Sequence, residues 1–185
     1  SREEYPVAWC HDPVSRRAVR FLFQRHLIGA GPEAIQRLWQ TGVQTFFDHG
    51  YWQTSADEGR TWTDARQLRY EDGSSLDPGG TPTQEFLRTN QMYGAYQAVA
   101  TRRGNILYPV AGVPVQLRDR GAVETVSAVR CFIGAWNADE AEYTWEASEP
   151  IAVPHRVSGR GLMEPTTAEL KDGRLLLEMR GSTEA

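Results

Sequence analysis

Few side chains in this sequence combine the type and the spacing that chemistry needs. Cys10 and His11 stand side by side, the nearest thing to a metal-binding pair, but no partners follow at suitable intervals. Two cysteines and four scattered histidines form no zinc spacing, so no metal is expected. Glu164 and Arg180 open and close the segment Glu164-Pro165-Thr166-Thr167-Ala168-Glu169-Leu170-Lys171-Asp172-Gly173-Arg174-Leu175-Leu176-Leu177-Glu178-Met179-Arg180. On residue type alone, Glu164 caps a loop or pairs with an arginine. Arg180 reads as one surface cation among many, because Lys171 is the single lysine among 20 basic residues. Trp136 and Tyr143 are polar-tipped aromatics that suit stacking on a sugar, although hairpin packing accounts for them better.

The densest pattern is Ser55-Ala56-Asp57-Glu58-Gly59-Arg60-Thr61-Trp62, which reads S-x-D-x-G-x-T-W. Each fixed position has a reason in turn chemistry. Asp57 can accept backbone N–H groups at a tight turn, and Gly59 can take a positive φ without steric cost. Ser55 and Thr61 can bond the neighbouring backbone. Trp62 can pack between sheet and turn while its N–H finds an acceptor. None of this requires catalysis.

These residues need strands to position them, and the chain supplies them. Residues 6–12 and 17–24 read as two strands around the turn Pro13-Val14-Ser15-Arg16. Pro32 with Ile35, Leu38 and Trp39 predicts one short helix over residues 31–39. Residues 44–47 and 50–54 are aromatic- and Thr-rich, as strands prefer. Residues 70–90, rich in Gly, Pro, Asp, Ser and Thr, read as a long surface loop. A strand pair over residues 94–100 and 105–111 turns at Arg102-Arg103-Gly104, with an extra segment at 115–124. A further hairpin has arms at 126–136 and 144–153. Its turn, residues 137–145, resembles a decayed copy of the first pattern, keeping Asp139, Thr144 and Trp145. Asp172-Gly173 between apolar runs predicts a last hairpin. The organisation is all-β, made of repeated antiparallel hairpins with little helix.

Composition narrows the function classes. At 185 residues, 40% hydrophobic and 24% charged, the chain is ordinary globular sequence of one domain's size. A formal charge of −4 offers no basic field to nucleic acid. No stretch approaches the ~20 apolar residues of a membrane span, and Ser1 leads into Arg-Glu-Glu rather than a signal peptide. Cys10 and Cys131 lie in apolar strand-like stretches and read as two buried free thiols.

Taken in order, these segments resemble the bacterial exo-α-sialidase-like proteins of the Asp-box (BNR-repeat) superfamily. The resemblance rests on the box at 55–62, the Tyr96-Gln97-Ala98-Val99 to Gly104-Asn105-Ile106-Leu107-Tyr108-Pro109 hairpin, the degenerate box at 137–145 and the strand pair at 164–180. It implies a six-bladed β-propeller, of which this single partial domain, residues 1–185, would supply about two to three blades. It further implies an exo-sialidase activity on a terminal, acidic sugar of a glycan, with no cofactor. Glu164 matches the glutamate that activates the nucleophilic tyrosine, and Arg180 matches one of three arginines that grip the sugar carboxylate. Gln97 and Tyr108 would border the pocket. The remaining catalytic groups would lie beyond both ends, which makes the chain a fragment without turnover of its own. Secretion or a periplasmic location would follow from the family's substrates. The alternative is a non-catalytic carbohydrate-binding or scaffold propeller. Open sheet edges would in either case offer backbone for self-association.

Overall fold

The computed structural model describes residues 2–28, 44, 46–76, 80–95 and 97–182. The helix expected over residues 31–39 and the first residue of the Tyr96-Gln97 motif lie outside this set. Among the described residues the fold is all-β. Strands β1 (Arg2–Asp12), β2 (Arg17–Leu27), β3 (Phe46–Ser55) and β4 (Arg66–Gln67) form one antiparallel sheet in that order. A second antiparallel sheet contains β5 (Tyr93–Gly94), β6 (Val99–Ala100), β7 (Asn105–Asp119), β8 (Ala122–Asn137) and β9 (Glu142–Ala147). In it β5 and β6 both pair with β7, and β8 joins β7 to β9. Strands β10 (Leu162–Glu169) and β11 (Leu175–Gly181) pair as a hairpin. None of these sheets closes on itself.

Alternation along the strands explains how the sheets stack. In β1, Ala8, Cys10 and Asp12 are buried while Trp9 and His11 are exposed, the period of two expected of a half-buried strand. The inward set, with Val19, Phe21 and Trp52, meets Ile106, Tyr108, Val110 and Phe132 of the second sheet in one apolar core. Phe21 stacks on Tyr108 at 3.9 Å between ring centroids. The other face of the second sheet presents Ala111 and Val129 to Leu162, Leu177 and Met179 of the last hairpin. Each fully buried large apolar side chain contributes about 1.5–3 kcal/mol. An exposed ion pair contributes about 0–1 kcal/mol. The apolar seams therefore decide the stacking. Both cysteines are free thiols; Cys10 lies in the first seam, where burial pushes its thiol up to about 12.

Several expectations need correction. The segment at 70–90 is more than a surface loop: it holds helix α1 (Gln84–Arg88). The Thr83 hydroxyl caps the helix by accepting from Phe86 N at 3.1 Å. Phe86 and Leu87 are buried with Phe47 in a second small core. The segment's ends are tied by Asn90, fully buried, whose side-chain oxygen accepts from Tyr70 N at 2.7 Å and Glu71 N at 3.0 Å. The extra segment at 115–124 extends β7 and β8 into a two-stranded arm beyond a bulge at Val110/Val113. The strand expected at 144–153 ends at Ala147, and Ile151 adds one isolated bridge to Val129.

The turn at 137–145 also departs from expectation. Asn137, not Asp139, organises it: the Asn137 side-chain oxygen accepts from Asp139 N at 3.0 Å and Glu140 N at 3.3 Å. Trp145 belongs to the seam, against Trp52 and Phe21. Gly134 makes that fit, since a Cβ there would lie 2.5 Å from the Trp145 ring.

Candidate functional site

The box at 55–62 is the turn from β3 to β4. Ser55 Oγ donates to Asp57 Oδ1 at 2.7 Å and accepts from Gly59 N at 2.8 Å. Asp57 also accepts from Thr61 N at 2.8 Å and from Thr61 Oγ1 at 2.7 Å. Those bonds, the Thr61 amide first, draw the Asp57 carboxyl down to about 2. The Trp62 indole N–H donates to Gly59 O at 3.0 Å, and Gly59 adopts φ +87°. Every fixed residue of the pattern thus serves the turn. The Asn137 turn occupies the equivalent place, between β8 and β9.

Glu164 and Arg180 come together at the start of the last hairpin. Arg180 lies opposite Met163, next to a break in register between Met163 and Thr166. Arg180 Nη1 donates to Glu164 Oε1 at 2.9 Å and to Oε2 at 3.1 Å. Both side chains are about half exposed. Glu164 has φ +49° although it precedes Pro165. In the left-handed region the Cβ of an L-residue crowds the following carbonyl oxygen, and a residue before proline is pushed toward extended backbone. The bulge therefore holds Glu164 under strain, of the kind found where a side chain must be aimed.

Glu164 faces two hollows. The larger, a cavity of about 350 Å³, is walled by Arg25, Asp48, Tyr93, Gly112, Arg160 and Glu164, among others. Its charges are unequally occupied. Arg25 and Asp48 are cross-strand partners joined by two parallel bonds, Nε to Oδ1 at 2.8 Å and Nη2 to Oδ2 at 2.7 Å. That fork, and the Asp48 charge, hold Arg25 above its usual range. The Arg160 guanidinium makes no ion pair with any described residue. Gly112, at φ +70°, lets the β7 bulge approach Tyr93, whose Cβ would be 3.2 Å from an added Cβ. The smaller hollow is shared by Gln97, Glu164, Pro165 and Thr166, and Thr166 Oγ1 donates to Gln97 Oε1.

The sequence-selected residues therefore divide. Glu164, Arg180 and Gln97 gather at one place. Tyr108 does not: it is fully buried in the seam against Phe21, its hydroxyl has no partner among the described residues, and burial raises its phenol. Small Gly94 makes room for that hydroxyl. Asp12 is likewise structural. It accepts from Val14 N at 3.0 Å, Ser15 N at 3.1 Å and the Tyr143 hydroxyl, tying the β1–β2 turn to β9. Burial alone would raise its carboxyl, but these bonds outweigh it and the net shift is downward. Sequence reasoning missed Arg160. Its signal was the run Ser158-Gly159-Arg160-Gly161, where Gly161 at φ +69° passes Ser127 O so closely that a Cβ would sit 2.3 Å from it. No group of His, Cys, Asp and Glu able to hold a metal exists among the described residues. No described helix is long and apolar enough to cross a membrane.

Comparison with known proteins adds a likeness of fold. No family model matches the chain, and no curated protein matches it. Among solved structures, a protein of unknown function from Dyadobacter fermentans superposes with a TM-score of 0.55 at 19% identity. The match covers 96% of this chain and 43% of that one, so this chain spans less than half of that protein's length.

Proposed function

We propose that this chain is part of a sialidase-type β-propeller that takes a terminal acidic sugar of a glycan at the Arg160–Glu164 cavity and, in the whole protein, hydrolyses its glycosidic bond. The carrying observation is a guanidinium without an ion pair to any described residue, Arg160, in the same cavity as a carboxylate on strained backbone, Glu164. A guanidinium binds a carboxylate through two parallel charge-assisted hydrogen bonds, which fixes the orientation of an acidic sugar. Glu164 can then serve as the base that draws a proton from a weak nucleophile. Its exposed pair with Arg180 is worth only about 0–1 kcal/mol, so Arg180 can exchange Glu164 for the ligand carboxylate. The propeller reading draws support from topology. Both large sheets are antiparallel meanders, and the capped turns of Asp57 and Asn137 stand at corresponding places in them.

The second reading, a carbohydrate-binding propeller without catalysis, is favoured by one feature: both Glu164 oxygens are already taken by Arg180. One experiment separates the two. The protein is titrated with sialyllactose by calorimetry and incubated with a fluorogenic sialoside, alongside Arg160→Ala and Glu164→Gln. The expected result for these 185 residues is saturable binding that Arg160→Ala abolishes, without turnover. Turnover that Glu164→Gln removes would place the hydrolase in this chain itself. Absence of both binding and turnover would overturn both readings.

A further inference from the structure

We infer that the outer face of the first sheet carries a second sugar site, built from Trp9, Arg20 and Trp62, that takes a pyranose ring bearing a carboxylate. It is separate from the Arg160–Glu164 cavity and shares no wall residue with it. The inference does not rest on the function proposed above.

The site begins with strand register. Trp9 is paired with Arg20, and Arg20 with Gln53, so the three side chains form one row across β1, β2 and β3. Directly opposed residues share a face. Ala8 and Cys10 on either side of Trp9 point into the seam, which leaves Trp9 outward and 72% exposed. Trp62 closes the other side. Its indole is pinned by the bond to Gly59 O at 3.0 Å, and the Gly59 position sits against the ring, an added Cβ lying 3.4 Å away. Arg20 lies over the Trp62 ring at 4.2 Å from its centroid, and its Nε donates to Gln53 Oε1 at 2.9 Å. The result is one indole stacked on the guanidinium and a second, exposed indole on the neighbouring strand, all three lining one hollow.

Between them is an open cavity of about 590 Å³, within the roughly 300–1,000 Å³ of small-ligand sites. Its walls include Pro6, Ala18 and the two indoles, with His11, Arg20 and Glu58 as polar groups. That proportion, mostly apolar with few polar groups, is the ordinary make-up of a ligand site. The flat C–H face of a pyranose fits an indole face, while its hydroxyls remain in water as an open hollow allows. Charge selects the ligand further. Arg20 makes no ion pair with a described residue, and the Glu58 carboxylate lies 4.0 Å from Arg60 instead. The Arg20 guanidinium, held in place by stacking and by Gln53, is pre-set to accept a carboxylate.

The test is calorimetric titration with methyl glucuronide and with methyl glucoside, on the unaltered protein and on Trp9→Ala, Arg20→Gln and Arg160→Ala. Trp9 is an exposed strand residue, so its removal leaves the seam intact. The glucuronide is expected to bind and to bind more tightly than the glucoside. Trp9→Ala is expected to weaken both by about tenfold, the loss of one stacking contact. Arg20→Gln is expected to erase the preference for the glucuronide while sparing the glucoside. Arg160→Ala removes whatever acidic sugar binds at the other cavity, and glucuronide binding that depends on Trp9 and Arg20 is expected to persist in it, which separates failure here from failure at the other cavity. No saturable binding in Arg160→Ala, or binding in it that a further Trp9→Ala leaves intact, would each overturn the inference. So would a concentration-dependent dimer that Trp9→Ala dissolves, since the face would then be covered by protein.

Discussion

Asp57 shows how much one side chain can hold. Its carboxylate gathers Ser55 and Thr61, and these bonds keep it ionised down to about 2 against an ordinary 3.8. The folded-state value is the lower one. The stabilisation is therefore fully present above about pH 4 and is lost as pH falls through about 2. Asp57→Asn is expected to lower the melting temperature at neutral pH. The gap between variant and parent should close as melts are repeated from pH 4 toward pH 2. Tyr108 carries the opposite lesson. Its hydroxyl is buried without a partner among the described residues, which costs about 1–3 kcal/mol. Tyr108→Phe keeps the stacking on Phe21 and is expected to stabilise the protein by about 1 kcal/mol in urea unfolding. The same variant should leave the sialyllactose titration curve as it is in the parent.

At the scale of elements, legibility follows the range of the interactions involved. The β10–β11 turn was legible in Asp172-Gly173, and the β1–β2 turn in Pro13 to Arg16, because the determinants are local: Gly173 takes φ +84° and Arg16 φ +57°. Helix α1 was not legible. Five residues carry little propensity, and what secures them is Phe86 stacking on His49 at 4.3 Å, a contact with β3 that no local pattern announces. Asn90 is the matching tertiary clasp, at φ +54°, with its amide group spanning Tyr70 and Glu71. Asn90→Ala would strand buried backbone amides and impose the left-handed region on alanine. It is expected to cost about 2 kcal/mol or more. Limited proteolysis should then cut first within residues 70–90. The candidate site was half legible for the same reason. Glu164 and Arg180 sit in one hairpin, whereas Arg25, Asp48, Tyr93 and Arg160 reach the cavity from separate strands and a loop.

Across the whole molecule, two histidines set the acid limit. His26 and His49 lie edge to face at 5.4 Å, both buried. Burial, then the charge of His49, pushes His26 down to about 4, and burial also lowers His49 despite its bonds to Phe86 O and Thr89 O. The unfolded chain takes up protons near pH 6.5 that the folded one refuses. Stability should therefore decline as pH falls from about 6.5 toward about 4. Thermal melts across that window should show it, and His26→Gln should flatten the decline. The sheets that this acid weakening would loosen already contain a gauge of their separation. Cys10 sits in the first seam with its thiol pushed up to about 12, and Cys131 in the second sheet is pushed up to about 11. Only thiolates react readily, so at neutral pH an alkylating reagent must wait for the layers to part. The rate at which Cys10 is consumed thus counts the excursions in which one sheet lifts from the next.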